Sequence, residues 1–160
     1  MRARLALLAL LATLAAGCGF HLQGAATLPE RLRVGYLDAP DRYSDLHDAL
    51  AEAWAASGGR LVPTAGEAAA VLRLRRDESG ERVLSISASN TPREYEVYYS
   101  VEYSVSVAGK EVLPPQVLTL TRSYSYDETA VLAKEHEERQ IREAMARELA
   151  ALMMRRLAAL

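Results

Sequence analysis

The chain has 160 residues, half of them hydrophobic, with 19 Lys and Arg against 21 Asp and Glu and one Cys. A net charge of −2 excludes a general nucleic-acid binder, which needs a concentrated basic footprint to release counterions. A single thiol excludes an internal disulfide, so the fold rests on packing, and the length suits one domain with its own core.

Arg2 and Arg4 precede an uncharged apolar run from Leu5 to Ala16. Such a run, about a dozen residues, is too short to span a bilayer, which takes ~20, and reads as a secretory signal. It closes on Leu14-Ala15-Ala16-Gly17-Cys18. That junction resembles the bacterial lipobox, in which the thiol is diacylated, the chain is cut before the Cys, and the new amine is acylated. An ordinary secretory signal with a chance Cys is the plainer alternative; the position, the small flanking residues and the absence of another Cys weigh against it. Cleavage there removes residues 1–17 and takes the charge to about −4. Three acyl chains, at ~0.8 kcal/mol per buried methylene, hold the protein on a membrane permanently. By resemblance to sorted lipoproteins, Gly19 in place of Asp after the Cys implies the outer membrane.

Residues 18–30 read as a tether and 31–160 as the folded domain. Arg33 to Leu37 is a short strand, ended by the turn residues Asp38-Ala39-Pro40-Asp41. Ser44 is placed to cap a helix to Ala56, with Leu46, Leu50, Ala53 and Trp54 on one face and Ser57-Gly58-Gly59 as its stop. Leu61-Val62-Pro63 opens a connection. Ala70 to Arg75 alternates as a strand. Glu78-Ser79-Gly80-Glu81 then reads as a hairpin turn into a strand from Val83 to Ser89, with Leu84 and Ile86 on one side.

The clearest strand is Tyr95 to Val107. Tyr95, Val97, Tyr99, Val101, Tyr103, Val105 and Val107 share one face; Glu94, Glu96, Tyr98, Ser100, Glu102, Ser104 and Ser106 share the other. A period of two held this long means one buried and one wet face, the mark of an antiparallel sheet. Ala108-Gly109-Lys110-Glu111 is the next turn, Pro114-Pro115 a break, and Gln116 to Tyr126 the partner strand. From about Thr129 a helix runs to the C-terminus, with Ile141, Met145, Leu149, Leu152 and Leu157 as its apolar stripe. The order predicts an α+β domain: two helices packed on one face of a mainly antiparallel, mixed sheet of four to five strands, the first strand parallel.

Candidate chemistry is sparse. His21, His47 and His136 are not spaced as metal ligands, and Lys134-Glu135-His136-Glu137-Glu138 lacks a second His four residues on. Glu94, Glu96 and Glu102 share a strand face as a conceivable acid/base set, yet no nucleophile or pocket-forming glycines accompany them; a solvated face is the better reading. No nucleophile elbow, phosphate loop or dinucleotide fingerprint is present, so no catalytic, metal or cofactor site is assigned. The tyrosines stand out, eight against one Phe. Strand propensity accounts for many of them, while Tyr98, Tyr124 and Tyr126 are candidates for a partner interface. Arg93, Arg122 and Lys134 gather near strand ends, where they are ordinary surface charges or phosphate contacts.

Two stretches go further. Gly19-Phe20-His21-Leu22-Gln23-Gly24 follows Cys18, with Leu28-Pro29 after it; Arg122-Ser123-Tyr124-Ser125-Tyr126 is followed by Val131-Leu132-Ala133-Lys134-Glu135. Together these resemble the LPS-assembly lipoprotein family, LptE, and the order of elements from Cys18 to Leu160 agrees. The resemblance implies a small α/β sandwich seated as a plug inside the outer-membrane barrel protein LptD, on the periplasmic side of the membrane and within the barrel lumen. It implies support of barrel assembly and binding of lipopolysaccharide on its way to the outer leaflet, with no enzymatic step. It also implies Arg122 and Lys134, which lie in the matching motif, as contacts for the lipid A phosphates, with Arg93, outside the motif, as a secondary candidate. The family often has a longer polar C-terminal tail than one that stops at Leu160. The alternative is an unrelated outer-membrane lipoprotein acting as a scaffold or lipid-binding module.

Overall fold

The computed structural model describes residues 27–88, 90–125 and 131–160, the last stretch with side chains from His136 onward. Strand β1 (Val34–Asp38) leads into α1 (Asp45–Ala56), then come β2 (Arg60–Leu61), β3 (Ala70–Ile86), β4 (Pro92–Val107), β5 (Lys110–Ser125) and α2 (Val131–Ala158). The sheet order is β2-β1-β3-β4-β5. β1 runs parallel to β2 and β3, whereas β3, β4 and β5 form an antiparallel meander. The expected α+β architecture and parallel first strand are therefore present.

Local chemistry explains most boundaries. Ser44 Oγ accepts the amide proton of His47 at 3.1 Å, satisfying a donor that the first turn of α1 leaves open. Ala108 and Gly109, both at positive φ, close the β4–β5 hairpin in two residues, as the twist of paired strands prefers. Along β4 the sides alternate as expected: Val97, Tyr99, Val101, Tyr103 and Val105 are buried. With Leu72 and Leu74 they meet Leu46, Leu50 and Trp54 of α1 and Met145, Leu149, Met153 and Leu157 of α2 in one core.

Several sequence expectations need correction. Glu78-Ser79-Gly80-Glu81 is no turn, for β3 continues through it in register with Val97 to Ser100 of β4. Gly80 is there for space: a Cβ would fall 2.6 Å from the hydroxyl of Tyr98, whose side chain lies across the glycine opposite it. Pro114-Pro115 does not end the strand either. The register slips by one residue between the Tyr103–Gln116 and Val105–Leu113 pairs, so the prolines sit in a bulge on an edge strand, where a missing N–H is tolerated. Leu61 belongs to β2 rather than to a plain connection. On α2 the buried stripe includes Ala146, Ala150, Met153 and Met154, with Leu152 only half-buried. Leu28, assigned to the tether, is fully buried, and its amide donates to the Ser57 carbonyl at 3.3 Å. Thr129, Tyr126 and Cys18 lie outside the described residues.

The long meander determines the shape of the domain. β1 stops opposite Arg73, while β3 continues to Ile86, an overhang of about 40 Å at ~3.3 Å per residue. α2, 28 residues long, lies on the same side of the sheet as α1; the opposite face carries no helix among the described residues.

Candidate functional site

The overhang of β3, β4 and β5 brings the sequence-selected tyrosines and arginines toward one end. Tyr95 and Tyr124 pair across β4 and β5 with ring centroids 5.7 Å apart and planes 17° from parallel. Tyr124 is buried, and its hydroxyl donates to Glu81 Oε2 at 2.9 Å from two strands away. Burial first, and then the Glu81 carboxylate, push the Tyr124 hydroxyl well above the usual tyrosine range, because both disfavour the phenolate. Tyr124 thus holds the sheet together from inside. Tyr98, half-buried over Gly80, is on the face without helices.

Arg122 is exposed on β5, and its Nη2 donates to Glu148 of α2 at 2.6 Å. With both partners about half exposed this bond is worth ~0–1 kcal/mol, so it orients the guanidinium more than it stabilises the fold. Arg156 Nη1 donates to Gln116 Oε1 at 3.2 Å, a second tie between α2 and β5. Arg93 is exposed at the far end, where the β3–β4 register skips it between the Ser85–Glu94 and Ile86–Pro92 pairs. Lys134 belongs to the opening turn of α2, with its side chain outside the described residues. Near Arg93, across the β3–β4 pair, lie Val83, Leu84 and Ile86, 48%, 48% and 60% exposed. Alternation alone places Leu84 and Ile86 on one side; the bulges near Val83 to Ile86 leave all three in solvent.

The carboxylates of β4 are committed individually. Glu94 Oε2 accepts from Ser85 Oγ at 2.7 Å, Glu96 pairs with Arg82, and Glu102 lies 3.8 Å from Arg76 Nη2. Each answers a group on β3, and their pattern is that of a solvated sheet face. His47 Nδ1 faces Asp48 at 3.6 Å, and His136 meets Gln140 at 3.0 Å. Among the described residues, no group of three or more His, Cys, Asp or Glu side chains is arranged to hold a metal ion.

A further polar junction, missed from the sequence, joins the helix layer to the overhang. Ser44 Oγ donates to Asp77 Oδ2 at 2.5 Å while capping α1. The Tyr99 hydroxyl lies against the same carboxylate, and burial together with that negative charge holds the hydroxyl well above its ordinary range. An open cleft of about 520 Å³ beside it is lined by Asp41, Asp45, Glu78 and Arg142 among others. No periodic pattern announces this link, because Ser44 and Asp77 are 33 residues apart.

Comparison with solved structures defines the class. The chain superimposes on the solution NMR structure of a lipoprotein B from Nitrosomonas europaea, with a TM-score of 0.73 and 25% identity over 88% of this chain and 91% of that one. It also matches the crystal structure of the rare lipoprotein B from Shewanella oneidensis, with a TM-score of 0.68 and 28% identity over 79% and 94%. This is an α+β lipoprotein domain. Its sequence matches the LptE family, described as "Lipopolysaccharide-assembly", over residues 34–157, from β1 to the last turn of α2, and the chain belongs to that family. Among its relatives, the LPS-assembly lipoprotein LptE of Pectobacterium atrosepticum is 29% identical over 94% of this chain and 82% of its own length. The protein of the same name from Yersinia enterocolitica is 28% identical over 94% and 73%.

Proposed function

We propose that the protein is an outer-membrane lipoprotein, anchored by lipid on Cys18, that plugs an LptD-like β-barrel, supports its assembly and binds lipopolysaccharide during transport to the outer leaflet. The observation that carries this reading is the family match across both layers of the domain. The surface supports it. The helix-free sheet face is polar, and its charges answer one another: Arg73 with Asp38 at 2.7 Å, Arg82 with Glu96, Arg76 with Glu102. Such a face stays wet and neutral beside a water-filled lumen. The protein acts by binding and positioning rather than by catalysis.

In this reading Arg122 and Lys134 receive the lipid A phosphates, with Arg93 as a further contact. Arg122 commits one nitrogen to Glu148, and a guanidinium has five N–H donors, so the remaining ones are free to meet a phosphate. The barrel part is tested by isolating the lipidated chain from outer membranes: a large β-barrel protein is expected to co-purify, and a chain recovered alone refutes it. The lipid part is tested with Arg122→Glu combined with Lys134→Glu. Two charge-assisted contacts at ~1.5 kcal/mol or more each predict at least a ten-fold loss of lipopolysaccharide affinity with an unchanged fold. Unchanged affinity places the contact elsewhere.

A further inference from the structure

Among the described residues β5 is the outermost strand on its side of the sheet, and its two halves are treated differently. From Lys110 to Pro115 it is blunted by two register slips and two prolines, devices that discourage another strand from pairing. From Gln116 to Ser125 it runs in unbroken register with β4 and contains no Pro, Gly, Asp or Asn. Its sequence, Gln-Val-Leu-Thr-Leu-Thr-Arg-Ser-Tyr-Ser, is rich in β-formers. That makes about 34 Å of strand whose outward N–H and C=O groups face no further strand among the described residues. The opposite edge of the sheet is the two-residue β2, too short to template anything.

We propose that the Gln116–Ser125 edge of β5 takes up an extended, uncharged β-segment of the barrel partner as an added strand. The inference rests on the barrel reading above. Charge selects this occupant: the only ionised side chain along the stretch is Arg122, which stands opposite Val97 on the helix side and bridges to Glu148. The exposed side offers Val117, Thr119, Thr121 and Ser123, all neutral, with Val117 60% exposed. On the helix side, Leu118 and Leu120 are half-buried between the two ties to α2, Arg122–Glu148 and Gln116–Arg156. Those ties bridge α2 and the strand. An edge recognises main chain, with alternate side chains setting preference; this one suits a segment of small polar and β-branched residues.

The test uses the lipidated full chain in its co-purified complex, with a photo-crosslinking amino acid placed in turn at exposed Val117, Thr119 and Thr121. Strand pairing predicts crosslinks to one continuous segment of the barrel protein, displaced by two residues at each step. Amide hydrogen exchange over residues 116–125 is expected to slow at least ten-fold in the complex relative to the isolated chain. Crosslinks to a second copy of this chain overturn the proposal, as do crosslinks scattered over the barrel or exchange that does not slow. Failure to co-purify any barrel protein instead removes the reading on which the proposal rests.

Discussion

Trp54 is held between two glycines, and replacing the first of them is the sharpest test of the core. A Cβ on Gly35 would lie 2.2 Å from Trp54 Cζ2 and 2.7 Å from Cε2. Ordinary carbon contacts are ~3.5–4.0 Å, so the ring must retreat by more than about 1 Å. It has nowhere to go. A Cβ at Gly59 would lie 2.5 Å from both Cδ1 and Nε1, the ring is fully buried, and Nε1 donates to the Arg33 carbonyl at 3.3 Å. Gly35→Ala is therefore expected to cost about 3 kcal/mol, the upper end of the ~1–3 range for overpacking. In a domain of this size that lowers Tm by roughly 10 °C. Thermal and urea unfolding of the full chain, followed by circular dichroism and fluorescence, measures it; Trp54 is the only tryptophan, so emission reports this site directly. A loss under about 3 °C with unshifted emission refutes the close-approach argument. Trp54→Phe in the same chain should relieve the clash, making the double variant less costly than the sum by about 1 kcal/mol or more.

Gly80→Ala provides the contrast: its Cβ meets the far end of Tyr98 at 2.6 Å, which can swing into solvent. The expected cost is under about 1 kcal/mol in the same unfolding assay, since the clashing atoms are the free end of one side chain on the helix-free face. Ser44→Ala removes both a helix cap and a donor to Asp77, and should cost about 1–2 kcal/mol by urea unfolding. Alkaline titration tests the two buried hydroxyls. Tyr99 and Tyr124 stay protonated in the folded state at pH values where unfolded tyrosine, with a pKa of about 10, ionises. The folded state then binds more protons, so these groups leave stability unchanged below pH ~10 and erode it as pH rises above that. Absorbance at 295 nm should show a lagging fraction of tyrosines that disappears in the Tyr99→Phe, Tyr124→Phe variant.

Much of the candidate site was legible at the level of residue choice and little of it at the level of contacts. Arg122 stood out through its motif, and the structure adds Glu148 as its partner, a residue 26 positions away on the face of a helix that reads only as solvated. Tyr124 stood out as an interface aromatic, and the structure buries it under Glu81, 43 residues distant. Neither pairing has a periodic signature, because each depends on which strand lies beside which. The acidic residues of β4 were readable as a wet face because alternation alone separates inside from outside.

By itself the sequence determined the two helices, the long alternating β4, the α+β class and the cap at Ser44, since each follows from local period or from one side chain meeting a nearby backbone group. It also contained the motifs by which the family is recognised. Tertiary structure decided where a glycine means a turn and where it means room: Gly80 continues a strand because Tyr98 lies across it, and Gly35 carries no side chain because Trp54 occupies that space. It decided that two prolines interrupt the ladder of β5 without ending the strand, because an edge tolerates a missing donor. These outcomes depend on neighbours brought in from distant parts of the chain.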